Sequence, residues 1–166
     1  WGEQSRVGRI LTLDEAVRCR RELAAGGGTL VFTNGHFDLL HVGHLDYLER
    51  ARALGDALFV GVNDDTSTRR LKGMGRPLIP AVERARLIAA LEPVSAAIVF
   101  SGDTADDLIR ALRPEVYVKG GDYAHKDLPE RPTVEGLGGR IVLIDLLPEH
   151  STSALIARIR ALPEDR

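Results

Sequence analysis

Cysteine is almost absent from this chain. Cys19 is the only one in 166 residues, so no internal disulfide can form. Such scarcity suits a reducing compartment, and a cytoplasmic location is the expectation. No apolar run approaches the roughly 18 residues that a spanning helix requires, so no membrane partner is expected. No secretory signal pattern is visible. An excess of charge of one sign is lacking too: 22 Lys and Arg stand against 24 Asp and Glu, a formal net charge of −2. With no basic stripe, nucleic acid is not an expected partner. Small anionic substrates need only a local basic cluster and are left open. Internal repeats and low-complexity tracts are missing as well. What is present is the composition of an ordinary globular chain, long enough for one domain over 1–166 with a real core. Residues 1–10 are polar and expected to be flexible. The first residue is Trp1 rather than Met, as in a trimmed chain or a piece of a longer one.

Five short apolar runs alternate with helical patterns. Strands are predicted near Thr29–Thr33, Ala57–Val62, Ala96–Phe100, Val116–Lys119 and Arg140–Ile144. Helices are predicted over 11–25, from His41 to about Leu54, over Ala81–Leu91 and Thr104–Leu112, and from about Ser151 to Leu162. Asn63–Pro80 and Gly120–Gly139 read as loops. The first helix opens at Thr12-Leu13-Asp14-Glu15, stops at Gly26-Gly27-Gly28 and carries Cys19 packed or half-packed. Continuous apolar strands separated by helices predict a parallel sheet covered on both faces. In such sheets ligands sit at the carboxyl ends of the strands. Four polar clusters follow strands, namely Thr33–His44, Asn63–Arg76, Lys119–Tyr123 and Asp145–Ser153, and they are predicted to converge.

The richest of these is TNGHFDLLHVGH, residues 33–44. A buried strand runs through a glycine-bearing turn into a helix N-terminus, where outward N–H groups favour an anion and above all a polyphosphate. His41 and His44 are three apart and share the first turn. They read as donors to phosphate oxygens, stabilising charge that builds on an α-phosphate during attack. A metal site with Asp38 and a pair of plain surface histidines are the rival readings. Gly43 leaves room for close approach of a nucleotide. Asp38 can orient a histidine or a Mg²⁺-bound water, or simply cap the turn.

The other clusters are read in the same way. Lys72, beside Gly73, can reach a phosphate from a mobile loop; Arg69 and Arg70 are weaker candidates. Lys119, Gly120 and Asp122 can approach a ligand and accept from sugar hydroxyls, the alternative being a plain Gly-Asp turn. Ser151, Thr152 and Ser153 can cap the last helix and cradle phosphate together. Arg84 can touch the triphosphate or lie on the helix surface. His36 is a polar loop residue or an acceptor contact, with Asn63, Arg76 and Tyr123 as further acceptor candidates. His125 and His150 have weaker cases.

The combination TNG-x-FD-x-LH-x-GH, RLKG, RP, an E-x-R helix, VKGGDY and a final ST at a helix start resembles the cytidylyltransferase-like nucleotidyltransferases. The resemblance covers about Leu11–Ile159. VKGGDY and RLKG are most similar to the subgroup that makes ADP-heptose from ATP and D-glycero-β-D-manno-heptose 1-phosphate. It implies a Rossmann-like three-layer α/β sandwich with a five-stranded parallel sheet, Mg²⁺ bridging the triphosphate, release of pyrophosphate and a homodimer. Some members are fused to a sugar kinase, and this chain has no segment of kinase length. The resemblance also makes Thr33, Asn34, Gly35, Phe37, Asp38 and Gly43 nucleotide-binding candidates, with no metal held by protein side chains. Two departures stand out. His36 occupies a position where relatives usually carry a small or apolar residue, and Arg158 lies further beyond the Ser/Thr pair than the arginine many members use. A CTP-dependent glycerol-3-phosphate-type enzyme, an FMN adenylyltransferase, a non-catalytic nucleotide-binding module and a plain scaffold are the alternatives.

Overall fold

A computed structural model describes residues 9–121 and 127–163. Among these, β1 (Arg9–Ile10), β2 (Leu30–Gly35), β3 (Ala57–Asn63), β4 (Ala96–Phe100), β5 (Val116–Gly120) and β6 (Arg140–Ile144) form one parallel sheet in the order β1-β4-β3-β2-β5-β6. The helices are α1 (Leu13–Ala25), α2 (Val42–Arg52), α3 (Asp65–Lys72), α4 (Ala81–Ala89), α5 (Asp106–Leu112), α6 (Arg131–Gly136) and α7 (Thr152–Arg160). None is long and apolar enough to cross a membrane.

Side-chain alternation along the strands builds the three layers. Leu30, Phe32, Ala57 and Phe59 point to one face, where they meet Ala16, Cys19 and Leu23 of α1 and Leu108, Ile109 and Leu112 of α5. Val31, Leu58, Val60 and Val62 point to the other, against Leu48 and Ala51 of α2 and Ala85 and Ile88 of α4. The α/β sandwich is therefore as expected, with one strand more. The sixth lies inside the stretch expected to be flexible: Arg9 and Ile10 pair with Ala96 and Ala97, and the Leu11 N–H donates to the Ala97 carbonyl at 2.9 Å. Two residues are too few to show a periodicity.

Two expected loops contain helices. In α3, Asp64 accepts from the Ser67 N–H at 2.8 Å and starts a helix whose buried residues are the small polar Ser67 and Thr68. In α6, Pro132 sits in the first turn, and Val134 is the one buried residue. α1 begins as predicted, with a reciprocal cap between Thr12 and Glu15. α2 ends at Arg52, slightly before the predicted Leu54.

The chain order puts the reversal of strand order at β2, which has β3 on one side and β5 on the other. Open α/β sheets leave a crevice at such a switch point, beyond the carboxyl ends of the strands. The segments after β2, β3, β5 and β6 all open there.

Candidate functional site

A cleft of about 560 Å³ occupies that crevice, lined from all four predicted clusters. Asn34, Gly35, His36, Phe37, Asp38, His41, Gly43 and His44 enter from the first, and Asn63, Lys72 and Arg76 from the second. Lys119 and Gly120 come from the third, with His150, Ser151, Thr152 and Ser153 from the fourth. Asp122, Tyr123 and His125 lie outside the described residues.

The turn after β2 delivers the histidines. Phe37 adopts a left-handed backbone, φ 51°, and its ring lies 5.6 Å from that of His44. His41 then caps α2 with its side chain. Its Nδ1 accepts from the Gly43 N–H at 3.1 Å, and the His44 Nδ1 accepts from the His41 N–H at 3.3 Å. An imidazole nitrogen that accepts carries no proton, so both rings hold theirs on Nε2. The rings are 4.0 Å apart. Burial, then the neighbouring His41, pushes His44 down to about 4. Burial, then His150, lowers His41. The pair therefore offers neutral N–H donors rather than cationic counter-charges. The His41 Nε2 is buried and has no partner among the described residues. An unsatisfied buried donor costs about 1–3 kcal/mol, so the site is built to be completed by an acceptor atom.

Gly43 has a more specific reason than room for a ligand. A β-carbon there would stand 2.9 Å from the His41 Cε1 and Nδ1 and 3.0 Å from the His150 Cβ. Its absence lets the imidazole fold back onto the helix start. Opposite, the Ser151 Oγ caps α7 by accepting from the Ala154 N–H at 3.0 Å, and the Thr152 hydroxyl donates to the Leu39 carbonyl at 3.4 Å. Two helix N-termini thus face one cleft, an arrangement suited to a chain of phosphates.

The other flank is basic. His36 is tied through Nδ1 to the Thr68 hydroxyl of α3 at 2.9 Å. Lys72 lies one turn further along the same face of α3. The Lys119 Nζ donates to the Asn34 carbonyl at 3.2 Å, and burial lowers its pKa. Asp38 neither orients a histidine nor caps its own turn. Its carboxylate, 1 % exposed, accepts from the Leu78 and Ile79 N–H groups at 2.8 and 2.9 Å and from the Arg76 Nε at 2.5 Å. Burial alone would raise this carboxyl; those hydrogen bonds outweigh it and hold it below the usual range. Asp38 therefore fastens the 73–80 loop across the cleft and aims Arg76.

Two predicted nucleotide contacts are not in the lining. Arg84 is fully buried, and its guanidinium donates to the carbonyls of Ile79, His36 and Asn63 and to Asp65. It braces the β2 and β3 ends from beneath and is not available to a triphosphate. Thr33 is also fully buried, with its hydroxyl joined to Tyr47 and the Val118 carbonyl. Asn63 lines the cleft, with its amide donating to Ser67 and the Gly102 carbonyl. Gly120 accommodates Leu146, whose Cδ2 would be 2.6 Å from an added β-carbon. Sequence reasoning missed Tyr47, Asp103, Glu130 and Leu146 in the lining. Asp103 and Leu146 follow strands, Glu130 precedes α6 and Tyr47 lies within α2, and their types carry no local signal of a ligand.

Comparison with known proteins agrees with this geometry. Residues 32–157 match the cytidylyltransferase-like family. The chain is 49% identical over 156 residues to the bifunctional protein HldE of Syntrophotalea carbinolica, covering 90% of this chain and 32% of that one. It is 45% identical over 163 residues to the bifunctional protein HldE of Alkalilimnicola ehrlichii, covering 98% and 34%. The chain thus spans about a third of the length of these curated relatives. Among solved structures, the lipopolysaccharide core biosynthesis protein from Thermoplasma volcanium GSS1 superposes with a TM-score of 0.61 at 27% identity, over 73% of this chain and 98% of that one. The chain belongs to the cytidylyltransferase-like family of nucleotidyltransferases.

Proposed function

We propose that this domain transfers an adenylyl group from ATP to a sugar 1-phosphate, with D-glycero-β-D-manno-heptose 1-phosphate as the favoured acceptor, giving ADP-heptose and pyrophosphate. The observation that carries the reading is the His41–His44 pair, locked as Nε2–H donors where the N-termini of α2 and α7 face each other. The names of the relatives, HldE and a lipopolysaccharide core biosynthesis protein, support a heptose-type acceptor.

A phosphate monoester has a second pKa of about 6, so at neutral pH the attacking oxygen is already ionised and needs no general base. What the protein must supply is alignment and charge stabilisation. His41 and His44 donate to the α-phosphate region, where negative charge builds. Ser151, Thr152 and Ser153, with the N-terminus of α7, hold the β- and γ-phosphates as the leaving group. Lys72, at the end of α3, closes over the reacting phosphates.

Mg²⁺ fits this site as a companion of the triphosphate. Among the described residues no group of three or more His, Cys, Asp or Glu could hold a metal ion. The cleft carboxylates are engaged: Asp38 as above, Asp103 with Arg70, and Glu130 with the Ala105 N–H. Phosphate oxygens of the nucleotide and water, rather than a protein cage, would hold the ion, and it would supply neutralisation of charge on the leaving pyrophosphate. A homodimer and a cytoplasmic location belong to the same proposal.

Pyrophosphate release, measured with Mg²⁺ across ATP, CTP, GTP and UTP against heptose 1-phosphates, glycerol 3-phosphate and FMN, tests the reading. Turnover confined to ATP with a heptose 1-phosphate is the expected result. Turnover with CTP or with another acceptor would overturn the substrate assignment. Nucleotide binding without turnover on any acceptor would favour a binding module.

A further inference from the structure

His36 belongs to neither helix N-terminus, yet it lines the cleft. Its Nδ1 is held by Thr68 at 2.9 Å, and its Nε2 bonds no protein atom among the described residues. Four cations act on it: Lys72 from α3, Lys119 from β5, Arg84 from α4 and Arg76 from the loop before α4. Arg76 and Arg84 are themselves ion-paired, with Asp38 and Asp65, so the two lysines lead the positive charge at His36. An imidazole that lines the cleft together with Lys72 and Arg76, with its Nδ1 fixed, is a place for an anion.

Geometry says which anion. In an in-line displacement the attacking and leaving oxygens lie on opposite sides of the α-phosphorus. If the leaving pyrophosphate sits on the N-termini of α2 and α7, the nucleophile comes from the side away from them, and His36, Lys72 and Arg76 are cleft residues that belong to neither helix start.

We infer that His36 is a specificity-determining residue that binds the phosphate of the acceptor through Nε2, and that it takes up a proton when a dianionic phosphate arrives. The inference rests on the proposed transfer reaction for its choice of ligand. In the free protein, burial first and then the four cations push His36 down to about 4, so its ring is neutral. A phosphate carrying about −1.5 to −2 charge offsets the repulsion from those cations. An opposite charge within about 4–6 Å raises an imidazole pKa by roughly 1–3 units. Raised from about 4 by that much, the midpoint reaches about 5–7, so the ring takes up a proton as phosphate binds on the acid side of neutrality, and the contact discriminates against unphosphorylated sugars.

Two measurements test this. The first follows the His36 ring resonances by NMR through a pH titration, with and without inorganic phosphate as the probe; His36→Asn supplies the assignment. The titration midpoint is expected to rise by about one pH unit or more with phosphate. A midpoint that stays put while the His41 and His44 signals respond would overturn the inference. The second is kinetic. His36→Asn keeps a polar atom near the Nδ1 position for Thr68 and removes Nε2, whereas Thr68→Val does the reverse. His36→Asn is expected to raise the acceptor KM about 10- to 100-fold with the KM for ATP unchanged. An equal rise in both KM values, or none, would refute it. If the wild type turns over no sugar 1-phosphate yet phosphate still shifts His36, the acceptor assignment fails and the phosphate site stands. If turnover is normal and His36 is silent, the opposite holds.

Discussion

Replacing Gly43 with alanine should separate activity from stability. The residue sits in the first turn of α2, where Gly→Ala ordinarily gains up to about 1 kcal/mol of helix propensity. Here the new β-carbon would lie 2.9 Å from two atoms of the His41 ring and 3.0 Å from the His150 Cβ, against 3.4–4 Å for ordinary contact. The ring is the end of a side chain and the His150 Cβ belongs to a loop, so both give way by roughly half an ångström or more. Displacing the ring breaks the Gly43 N–H to Nδ1 bond, worth about 0.5–1.5 kcal/mol, which offsets the propensity gain. Net stability should stay within about 1 kcal/mol of the wild type. Turnover should not be spared, because the bond that fixes the proton on Nε2 is lost and the donor is misplaced. Errors on this scale cost up to about 10²-fold in rate. Urea denaturation and pyrophosphate release on the same sample make the assay. Wild-type turnover in Gly43→Ala would refute the role given to the His41 tautomer, and destabilisation by about 3 kcal/mol or more would refute the claim that its surroundings yield.

His44→Ala should fold normally and lose about 10²–10³ in kcat, the usual effect of removing one well-placed donor. Arg84→Met should destabilise by about 3–5 kcal/mol in denaturant titrations, because it leaves the carbonyls of Ile79, His36 and Asn63 without their buried donor; a stable variant with only a raised KM for ATP would return Arg84 to the nucleotide. Asp38→Asn should cost about 1.5–3 kcal/mol and loosen the 73–80 loop, seen as faster amide exchange at Leu78 and Ile79. Stability should also depend on pH in a defined direction. His36 and His44 stand at about 4 in the fold against 6.5 as free groups, so the unfolded chain binds more protons between those values. Stability is then full above about pH 6.5 and falls as pH drops toward 4. Asp38, held below its usual value, adds its contribution above the unfolded carboxylate pKa and loses it only in stronger acid. Denaturation midpoints between about pH 4.5 and 7.5 that show no slope would contradict the burial of the two imidazoles.

The sheet was legible because its central strands are continuous apolar runs, and the convergence of polar clusters followed from the parallel order alone. Other elements left no pattern to read. α3 buries a serine and a threonine rather than a stripe of aliphatic residues, α6 buries a single valine, and β1 is two residues at an edge. Within the site, the phosphate-facing segments could be found from residue type and place, since a glycine turn before a helix start has few other uses. The roles of individual side chains could not. Asp38 meets the N–H groups of Leu78 and Ile79 forty residues away, and nothing near it in sequence announces them. Arg84 stands on an amphipathic helix where an arginine reads as surface, and only the fold shows three carbonyls converging beneath it. His36 could be singled out as an unusual residue and a candidate acceptor contact, but its bond to Thr68 and its neighbouring cations come only from the fold.

On the proposed reading, this cleft moves an adenylyl group onto a phosphorylated sugar by charge stabilisation from neutral histidine donors. Phosphorus NMR of ATP, Mg²⁺ and D-glycero-β-D-manno-heptose 1-phosphate, with wild type and His44→Ala side by side, tests it most directly. One pyrophosphate and one diphosphate-bridged sugar nucleotide per ATP consumed in the wild type, with the same products formed at least about 10²-fold more slowly by the variant, is the predicted result. Release of ADP and inorganic phosphate instead, or equal rates for the two proteins, would contradict it.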